Sequence, residues 1–451
     1  MRAQGTWRAS VRVGARTLLA LGDAVAVEEV DAVVLGAGPA GLAAAAALVG
    51  RSRLDVRLVE YGSPIGERNR LAPEDVTSGI GGAGLFSDGK FSFFPSATNL
   101  WRLSPRRALA ASYDWYQRLL RDLPWAELVP KLPGTEAAAG PRPVGGEVME
   151  KSYPSYYTTL AEREALTSAL ASSLGRDVIL TNTDIDEMDV GARGATVVTR
   201  DRASGLVTEL ASRALVIATG RLSPLELVRM VPGAQWRDGR LEVGVRLEQP
   251  AERFMLASHP SVDPKLVATQ ADGVAVRTFC CCRNGEVIAT YTRGIVSVSG
   301  RADVSPTGRS NVGIVLRPSA SMRRDDPSLL DRVTDVGQHF ICDAGDFLGH
   351  SPSRDLVAVL GEPITTRLGH AIRQIAEVVG CELLPDEATV HGIAVEGVGN
   401  YPDLRDDLRW GDFPVWVAGD ATGLFRGLTA AFVSGFFAGN RARVHLLAAS
   451  E

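Results

Sequence analysis

The chain has 451 residues, of which 45% are apolar and 22% are charged, and its formal net charge is −5 at pH 7. This length predicts two or three domains, and the composition is ordinary for a soluble globular protein. Because there is no net positive charge to attract phosphates, we expect neither nucleic acid nor an anionic membrane surface as a partner, and we expect a small-molecule substrate instead.

Residues 1–26 precede the first recognisable element and are predicted to form an N-terminal extension. They contain several arginines, but the apolar stretch that follows is interrupted by Asp23, so the segment matches a signal peptide poorly. The chain has five cysteines, three of them consecutive, which favours a reducing compartment over a disulfide framework. We therefore expect a cytoplasmic protein.

The stretch 33–60 has the order of a dinucleotide-binding unit. A buried strand is followed by a turn with Gly36, Gly38 and Gly41, an alanine-rich helix and a second strand that ends at Glu60. Gly36 permits the tight turn, Gly38 lets the backbone approach a pyrophosphate, and Gly41 lets the helix pack on the strand. The helix N-terminus then faces the phosphates, and Glu60 is placed to accept hydrogen bonds from ribose hydroxyls.

The same region contains an uncharged run, 32–50, that is long enough to resemble a membrane span. Its four glycines and one proline are already explained by the nucleotide-binding turn. We therefore predict no membrane span.

Two later strands also end in small residues. The first ends at Ala218, Thr219 and Gly220, and the second, near the C-terminus, ends at Gly419 and Asp420. In open α/β sheets, ligands bind at the carboxyl ends of the strands. Three such strand ends in this order predict one shared nucleotide site, in which Asp420 is placed to bind a sugar hydroxyl or, through water, the pyrophosphate.

The pattern of elements changes along the chain. A helical and loop excursion is predicted at 101–150, and many strands with few long helices are predicted between 226 and 394. After residue 394 the chain returns to a buried strand and a helix. We therefore predict an α/β protein with a discontinuous Rossmann-type nucleotide-binding domain, 27–225 and 395–451, and an inserted β-rich substrate domain, 226–394.

The order G-x-G-x-x-G, E, A-T-G and G-D resembles the FAD-binding flavoproteins of the glutathione-reductase and p-hydroxybenzoate-hydroxylase type. More narrowly, the run G-G-A-G-L-F-S-D-G-K at 81–90 resembles the G-G-A-G-x-F-S-D-G-K signature of a bacterial family of FAD-dependent dehydrogenases and oxidoreductases. Shorter similarities extend over 30–439, with a departure at 281–283, where the family is expected to have an M-C-P-like run. The resemblance implies FAD as the cofactor and a loop at 81–90 that lies along the flavin.

The motifs and the resemblance together predict a set of FAD-binding residues. Within this set, free amides at the start of the last helix are expected to stabilise negative charge at the flavin N1 and O2 edge. They are Gly36, Gly38, Pro39, Ala40, Gly41, Glu60, Gly82, Ala83, Gly84, Ser87, Asp88, Ile185, Ala218, Thr219, Gly220, Gly419, Asp420, Arg426, Gly427, Leu428 and Ala430.

Fewer residues are candidates for catalysis. His339, in a loop-like stretch, is the candidate general base, and Arg426 is the candidate for charge stabilisation. The six histidines have no spacing typical of a metal site or a catalytic triad, so no metal is predicted. Arg246, Arg277 and Arg293 lie on predicted strands, where they either clamp an anionic substrate or face solvent.

Two further features left alternatives open. The run C-C-C at 280–282 precedes the turn signal N-G, which predicts a hairpin with 287–292 and places Cys280 and Cys282 on one face of a strand. Packing of small residues, a thiol in the substrate pocket and a metal site are the three interpretations. Lys90 is expected to be exposed, with a position near the flavin N5 as the alternative.

The expected activity is that of a FAD-dependent oxidoreductase, a dehydrogenase or oxidase that moves a hydride between a small molecule and the flavin. No second G-x-G-x-x-G follows a strand, so NAD(P)H is expected only as a transient reductant. No C-x-x-C pair is present, which disfavours disulfide reduction. The alternatives are a flavin monooxygenase that uses NAD(P)H and O2, a non-redox FAD-dependent isomerase or cyclase, and a binding protein without turnover.

Overall fold

The computed structural model describes residues 26–50, 54–134, 140–175, 177–349, 354–381, 383 and 387–448. The predicted N-terminal extension lies outside these residues except for Ala26. The strands are β1 Ala26–Leu35, β2 Val56–Val59, β3 Lys90–Ser92, β4 Arg142–Gly145, β5 Val148–Lys151, β6 Ser155–Tyr157, β7 Ile179–Leu180, β8 Thr183–Gly191, β9 Gly194–Asp201, β10 Val207–Ile217, β11 Trp236–Pro250, β12 Lys265–Thr269, β13 Ala275–Cys282, β14 Glu286–Thr292, β15 Ile295–Arg301, β16 Arg309–Leu316, β17 Phe340–Asp343, β18 Thr389–Pro402 and β19 Val415–Val417. The α-helices are α1 Pro39–Val49, α2 Gly82–Leu85, α3 Arg106–Leu119, α4 Leu160–Ser173, α5 Pro224–Met230, α6 Ala320–Asp325, α7 Leu329–Thr334, α8 Ala344–Leu348, α9 Arg354–Leu360, α10 Glu362–Val378 and α11 Leu428–Ala448.

Seven strands form the first sheet, in the order β7-β2-β1-β10-β9-β8, with β19 also paired to β10. β1 pairs in parallel with β2 and β10. β19 pairs in parallel with the last residues of β10. The end of β1 is an apolar run that is buried on both faces, as expected for a parallel strand covered by helices. α11 packs directly on α1, because a Cβ atom at Gly435 would lie 2.1 Å from the Ala40 carbonyl oxygen.

Eight antiparallel strands form the second sheet, in the order β17-β18-β11-β16-β13-β12-β5-β4. Apolar residues of α10, such as Leu368 and Ile372, share one buried core with β11 and β16. The sheet also takes strands from outside the predicted insertion 226–394: β4 and β5 belong to the predicted excursion 101–150, and β18 continues past residue 394. The α/β class is confirmed, and the β-rich part forms a sheet of its own.

The predicted hairpin between the cysteine run and 287–292 is wrong. β14 pairs with β15 in a separate two-stranded sheet, whereas β13 pairs with β12 and β16. A type I′ turn requires positive φ at both central residues, and of the pair Asn284 and Gly285 only Asn284, at φ +48, has one. The chain therefore leaves the second sheet at this turn.

The uncharged run 32–50 folds as the end of β1, the glycine turn and α1. Among the helices of the described residues, none combines the length and the apolar character that crossing a bilayer requires.

Candidate functional site

The carboxyl ends of three strands lie side by side in the first sheet. Leu35 at the end of β1 is in register with Ile217 of β10, which is in register with Val417 of β19. The amide of Ala218 donates to the Leu35 carbonyl at 2.8 Å, and the amide of Ala418 donates to the Ile217 carbonyl at 2.9 Å. A cavity of about 660 Å³ opens at this edge. The three strand ends predicted to meet therefore border one cavity.

Most of the residues predicted to bind the cofactor line this cavity. They are Gly36, Gly38, Pro39, Ala40, Glu60, Gly82, Ala83, Gly84, Ser87, Asp88, Ile185, Ala218, Thr219, Gly220, Gly419, Asp420, Arg426, Gly427 and Leu428.

Gly41 and Ala430 do not line the cavity. A Cβ atom at Gly41 would lie 1.7 Å from the Gly36 carbonyl oxygen, so this glycine serves the contact between α1 and the turn. Ala430 is 1% exposed and packs in the core of the first sheet. Both residues therefore act through packing.

The turn glycines differ in what surrounds them. Gly36 has φ +92, and a Cβ atom there would lie 2.7 Å from the Ala218 carbonyl oxygen. A Cβ atom at Gly38 would meet only Gly82 Cα, at 3.9 Å. No side chain caps the N-terminus of α1. Gly38 thus leaves open space in front of the helix N-terminus, where an anion is favoured by the helix dipole.

Glu60 joins three backbone segments. Its carboxylate is 5% exposed and accepts hydrogen bonds from the amides of Ala37 at 2.6 Å, Gly62 at 2.9 Å and Gly79 at 2.8 Å. It also lines the cavity, and carboxylate oxygens can accept more than one hydrogen bond each. The sequence does not predict these hydrogen bonds to Glu60, because Gly79 belongs to a later loop.

The loop 77–90 packs between the starts of α1 and α11. A Cβ atom at Gly84 would lie 2.8 Å from both Leu428 Cδ2 and Pro39 Cγ. The buried Arg68 guanidinium holds the loop by donating to the carbonyls of Ile80 at 2.7 Å and Gly82 at 3.0 Å. Burial lowers the pKa of Arg68 to about 10. The loop is thus fixed against the same cavity.

The end of this loop is charged and buried. Burial and the nearby Asp263 carboxylate raise the pKa of Asp88. Lys90 is not exposed, contrary to the expectation: its side chain is 11% exposed and its Nζ lies 2.7 Å from Asp263 Oδ2. The ammonium also lies 5.3 Å from the centre of the Tyr153 ring. Lys90 lines the cavity. The sequence alone does not predict this position, because the ion-pair partner Asp263 is remote in the chain.

Charged side chains from both sheets line another part of the cavity, and we call them the charged cluster. Its cationic members are Lys151, Arg221, Arg240, Lys265, Arg277, Arg317 and Arg426, and its carboxylates are Glu242, Glu396 and Asp420.

Glu242 is the centre of the charged cluster. It is 2% exposed and accepts from Arg277 at 2.5 Å and from Arg317 at 2.6 Å, and Arg426 lies at 3.6 Å. Burial alone would raise the pKa of Glu242, but the guanidinium groups of Arg277 and Arg426 hold it well below its usual range. Arg426 and Arg221 both form ion pairs with Glu396. Burial and the charges of its arginine neighbours lower the pKa of Arg426.

Arg246, Arg277 and Arg293 lie in three different environments. The sequence predicted that they either clamp an anionic substrate or face solvent. Arg277 belongs to the charged cluster, and Arg293 lines the cavity while paired with Glu226 at 2.7 Å. Arg246 fits neither expectation, since it is 0% exposed and its Nε donates to Asn311 Oδ1 at 2.9 Å.

His339 does not line the cavity. Its Nε2 lies 3.1 Å from Nδ1 of His391, on the β18 side of the second sheet. Burial and His391 lower the pKa of His339. The structure therefore gives no support to His339 as the general base. Among the described residues, no group of three or more His, Cys, Asp or Glu side chains is arranged to hold a metal ion.

No family model matches the chain, and no curated protein matches it. Solved structures that resemble it include a flavoprotein/dehydrogenase from Cytophaga hutchinsonii, with 15% identity, a TM-score of 0.40 and coverage of 93% of this chain and 79% of that chain. The open conformation of a flavocytochrome c3 fumarate reductase has 11% identity, a TM-score of 0.44 and coverage of 99% and 83%. The substrate-free rebeccamycin biosynthetic enzyme REBC has 13% identity and a TM-score of 0.37, with 89% of this chain spanning 58% of that one. Likenesses this distant carry no argument about function.

Proposed function

We propose that the chain is a FAD-dependent oxidoreductase that acts on a small anionic molecule. The observation that carries this proposal is the single cavity at the ends of β1, β10 and β19, with the open space at Gly38 in front of α1. A parallel sheet that ends in a glycine turn and an uncapped helix N-terminus is the arrangement that binds the pyrophosphate of a dinucleotide.

The residues of the cavity suit FAD along its length. The N-terminus of α1 would hold the pyrophosphate, and the carboxylates of Glu60 and Asp420, at two different strand ends, would accept from hydroxyls of the ribose and the ribityl chain. The signature-like loop 81–90 packs against this cavity, which supports the narrower resemblance. When bound, FAD supplies the group that accepts or donates a hydride.

The protein's own contribution lies in positioning and in charge. Residues 427–429 line the cavity at the start of α11, where the helix dipole favours negative charge. Asp88, with its raised pKa, is a partly buried carboxyl that holds a proton more readily than an exposed one. Side chains of the second sheet line the cavity on the side of the charged cluster.

An anionic substrate follows from the charge balance of the charged cluster. Seven cationic side chains face three carboxylates. Lys151 and Lys265 stand directly opposite each other on β5 and β12, an arrangement in which like charges repel. Among the described residues, neither lysine has a carboxylate partner. A carboxylate on the substrate would relieve this repulsion.

Anaerobic titration of the FAD-loaded protein tests the activity. A panel of small hydroxy and amino carboxylic acids, each with its uncharged amide as a control, is added while the oxidised flavin band is recorded. We expect one or more acids, and none of the amides, to bleach the band. Bleaching only by NADPH, accelerated by an acid, would favour a monooxygenase, and no bleaching by any addition would favour the non-redox or binding alternatives.

Benzoate and benzamide test the anion site separately, because they have the same shape and differ in charge. We expect benzoate, but not benzamide, to perturb the flavin spectrum and to bind in calorimetry. Lys265→Met should weaken benzoate binding about tenfold, which corresponds to about 1.4 kcal/mol. Lys265→Arg, which keeps the charge, should bind benzoate as the wild type does. Equal binding of benzoate and benzamide would contradict the anionic substrate class.

A further inference from the structure

We infer that Cys280 and Cys282 form a redox-active dithiol in the wall of the cavity, which exchanges electrons with the FAD of the proposed function, on which this inference rests. In the oxidising direction two S–H bonds break and one S–S bond forms between the two Sγ atoms. Two electrons and two protons then pass to oxidised FAD, and the reverse transfer restores both thiols.

The backbone brings the two sulfur atoms together. On a regular strand, alternate residues are too widely spaced for their side chains to bond easily. Here Cys280 has φ +46, and the pairing with β16 shifts between Phe279, opposite Gly313, and Cys282, opposite Asn311. The Sγ atoms of Cys280 and Cys282 consequently lie 3.8 Å apart. A positive φ at a residue other than glycine is unusual and occurs often at functional sites.

A buried positive charge lies beside the pair. Arg246 is 0% exposed, and its Nη2 lies 2.6 Å from the Cys280 carbonyl oxygen and 3.8 Å from Cys282 Sγ. Its Nη1 has no hydrogen-bond partner, and among the described residues no carboxylate forms an ion pair with this arginine. An uncompensated buried cation is unfavourable, whereas a thiolate on the adjacent cysteine pair would balance it.

The hydrogen bond between the two sulfur atoms distinguishes the thiols, whereas the charge of Arg246 lowers the pKa of both. The hydrogen bond from Cys282 and the charge of Arg246 lower the pKa of Cys280, against the opposing effect of burial. The pKa of Cys282 is raised, chiefly by the same hydrogen bond and by burial. Cys280 therefore ionises first, and a thiolate is the form that attacks or is oxidised.

Only one of the two thiols faces the cavity. Cys280 lines it together with Phe279 and Gly300. Cys282 lies behind, where a Cβ atom at Gly300 would come within 2.7 Å of its Sγ. This order, an accessible thiol with a covered partner, is what an electron-exchanging dithiol requires.

Cys281 is the matched control within the same run. It is buried in the core of the second sheet, and burial raises the pKa of its thiol to about 12. Its backbone amide donates to Asp263 at 2.8 Å. A change at Cys281 therefore perturbs the same strand without touching the dithiol.

The first test is an anaerobic dithionite titration of FAD-loaded protein purified without added thiols. FAD alone accepts two electrons, and FAD with a disulfide accepts four. We expect uptake of four electrons per chain for the wild type and for Cys281→Ser, and of two for Cys280→Ser and Cys282→Ser. Uptake of two electrons by the wild type, together with two free thiols at 280 and 282 after treatment with diamide, would overturn the inference.

Mass spectrometry of the wild type keeps the inference testable if a serine variant does not fold. The oxidised protein should be 2 Da lighter than the reduced protein, with the bridge between Cys280 and Cys282 in the peptide that contains both. This measurement does not depend on FAD. A chain that forms the bridge but binds no FAD would overturn the proposed function and the electron exchange, while a FAD-binding chain that never forms the bridge would overturn the dithiol alone.

Discussion

At the scale of single residues, the three glycines of the nucleotide turn serve different purposes. Gly36 adopts φ +92, which glycine tolerates without strain, and Gly41 allows α1 to touch the turn. Gly38 needs neither a special φ nor a close protein contact, since its φ is −68. The fold does not require glycine here, and the proposed cofactor would account for the missing side chain.

Replacement of Gly38 should therefore remove the cofactor and keep the fold. We expect Gly38→Val to have the circular dichroism spectrum and melting temperature of the wild-type apoprotein, but at least tenfold weaker FAD binding. Gly41→Val should destabilise the protein itself, because the new Cβ atom would overlap the Gly36 carbonyl. The absorbance ratio of flavin to protein measures the first effect, and thermal melting measures the second.

The exposed Gly66, which has open space around it, is the control for valine substitution. Gly66→Val should leave FAD binding unchanged. Stoichiometric FAD in Gly38→Val would show that the space in front of α1 does not hold the cofactor.

Lys265 makes stability depend on pH. Burial, together with the charges of Arg277 and Lys151, lowers the pKa of Lys265 to about 7, whereas an unfolded lysine has a pKa of about 10.4. Below pH 7 the folded chain carries an unfavourable charge there, and this cost disappears as the pH rises from 7 to 10. Lys265→Met should therefore increase the unfolding free energy by about 1 to 3 kcal/mol at pH 6, and by less at pH 9.

Urea denaturation of the FAD-free protein at both pH values measures this difference. Lys131→Met, at an exposed lysine outside the cavity, should change stability little at either pH. A destabilised Lys265→Met, or an equal gain at pH 6 and pH 9, would contradict a buried, unpaired ammonium.

At the scale of elements, Glu60 connects the end of β2 to the glycine turn and to the loop before α2. Glu60→Gln replaces one acceptor oxygen by an amino group that would face a backbone N–H. We expect a loss of about 1 to 3 kcal/mol in the unfolding free energy of the apoprotein, because a buried donor loses its acceptor. FAD affinity should fall as well, since the turn is less well held.

Urea denaturation of the apoprotein and fluorescence titration with FAD give the two quantities. Glu67→Gln, on an exposed side chain, is the control. If Glu60 served only the ribose, FAD affinity would fall while the stability of the apoprotein stayed that of the wild type.

The first sheet is predictable from the sequence because its signals are local. Each motif combines an apolar strand with the turn that follows it, as at Gly36, Gly220 and Asp420, and the rule that ligands bind at carboxyl ends joins them. The structure places these turns around one cavity. Local patterns therefore sufficed to predict that the three strand ends meet.

The charged cluster is not predictable in the same way, because it depends on pairing between remote segments. Lys151 lies opposite Lys265 only because β5 leaves the predicted excursion and joins β12. The burial of Lys90 depends on Asp263. The prediction of His339 as general base depends on its residue type and its loop-like segment, and neither determines its distance from the cavity. Alternating charges on β11, such as Arg240 and Glu242, were the available signal for the charged cluster.

At the scale of the whole molecule, the cavity is shared by two sheets that are tied by charge. Arg426 and Arg221, which follow β19 and β10 of the first sheet, both form ion pairs with Glu396 of β18 in the second sheet. The first sheet supplies strand ends, a helix N-terminus and two of the arginines, and the second supplies the other cations and the thiols. The division explains how one chain would bind a cofactor and an anionic substrate face to face.

The most direct test of this account is the stoichiometry of FAD in the purified, folded chain. The protein is incubated with excess FAD, freed of unbound cofactor by gel filtration, and its absorbance spectrum is recorded. We expect a yellow protein with one FAD per chain. A folded chain that stays colourless and retains no FAD would contradict the account.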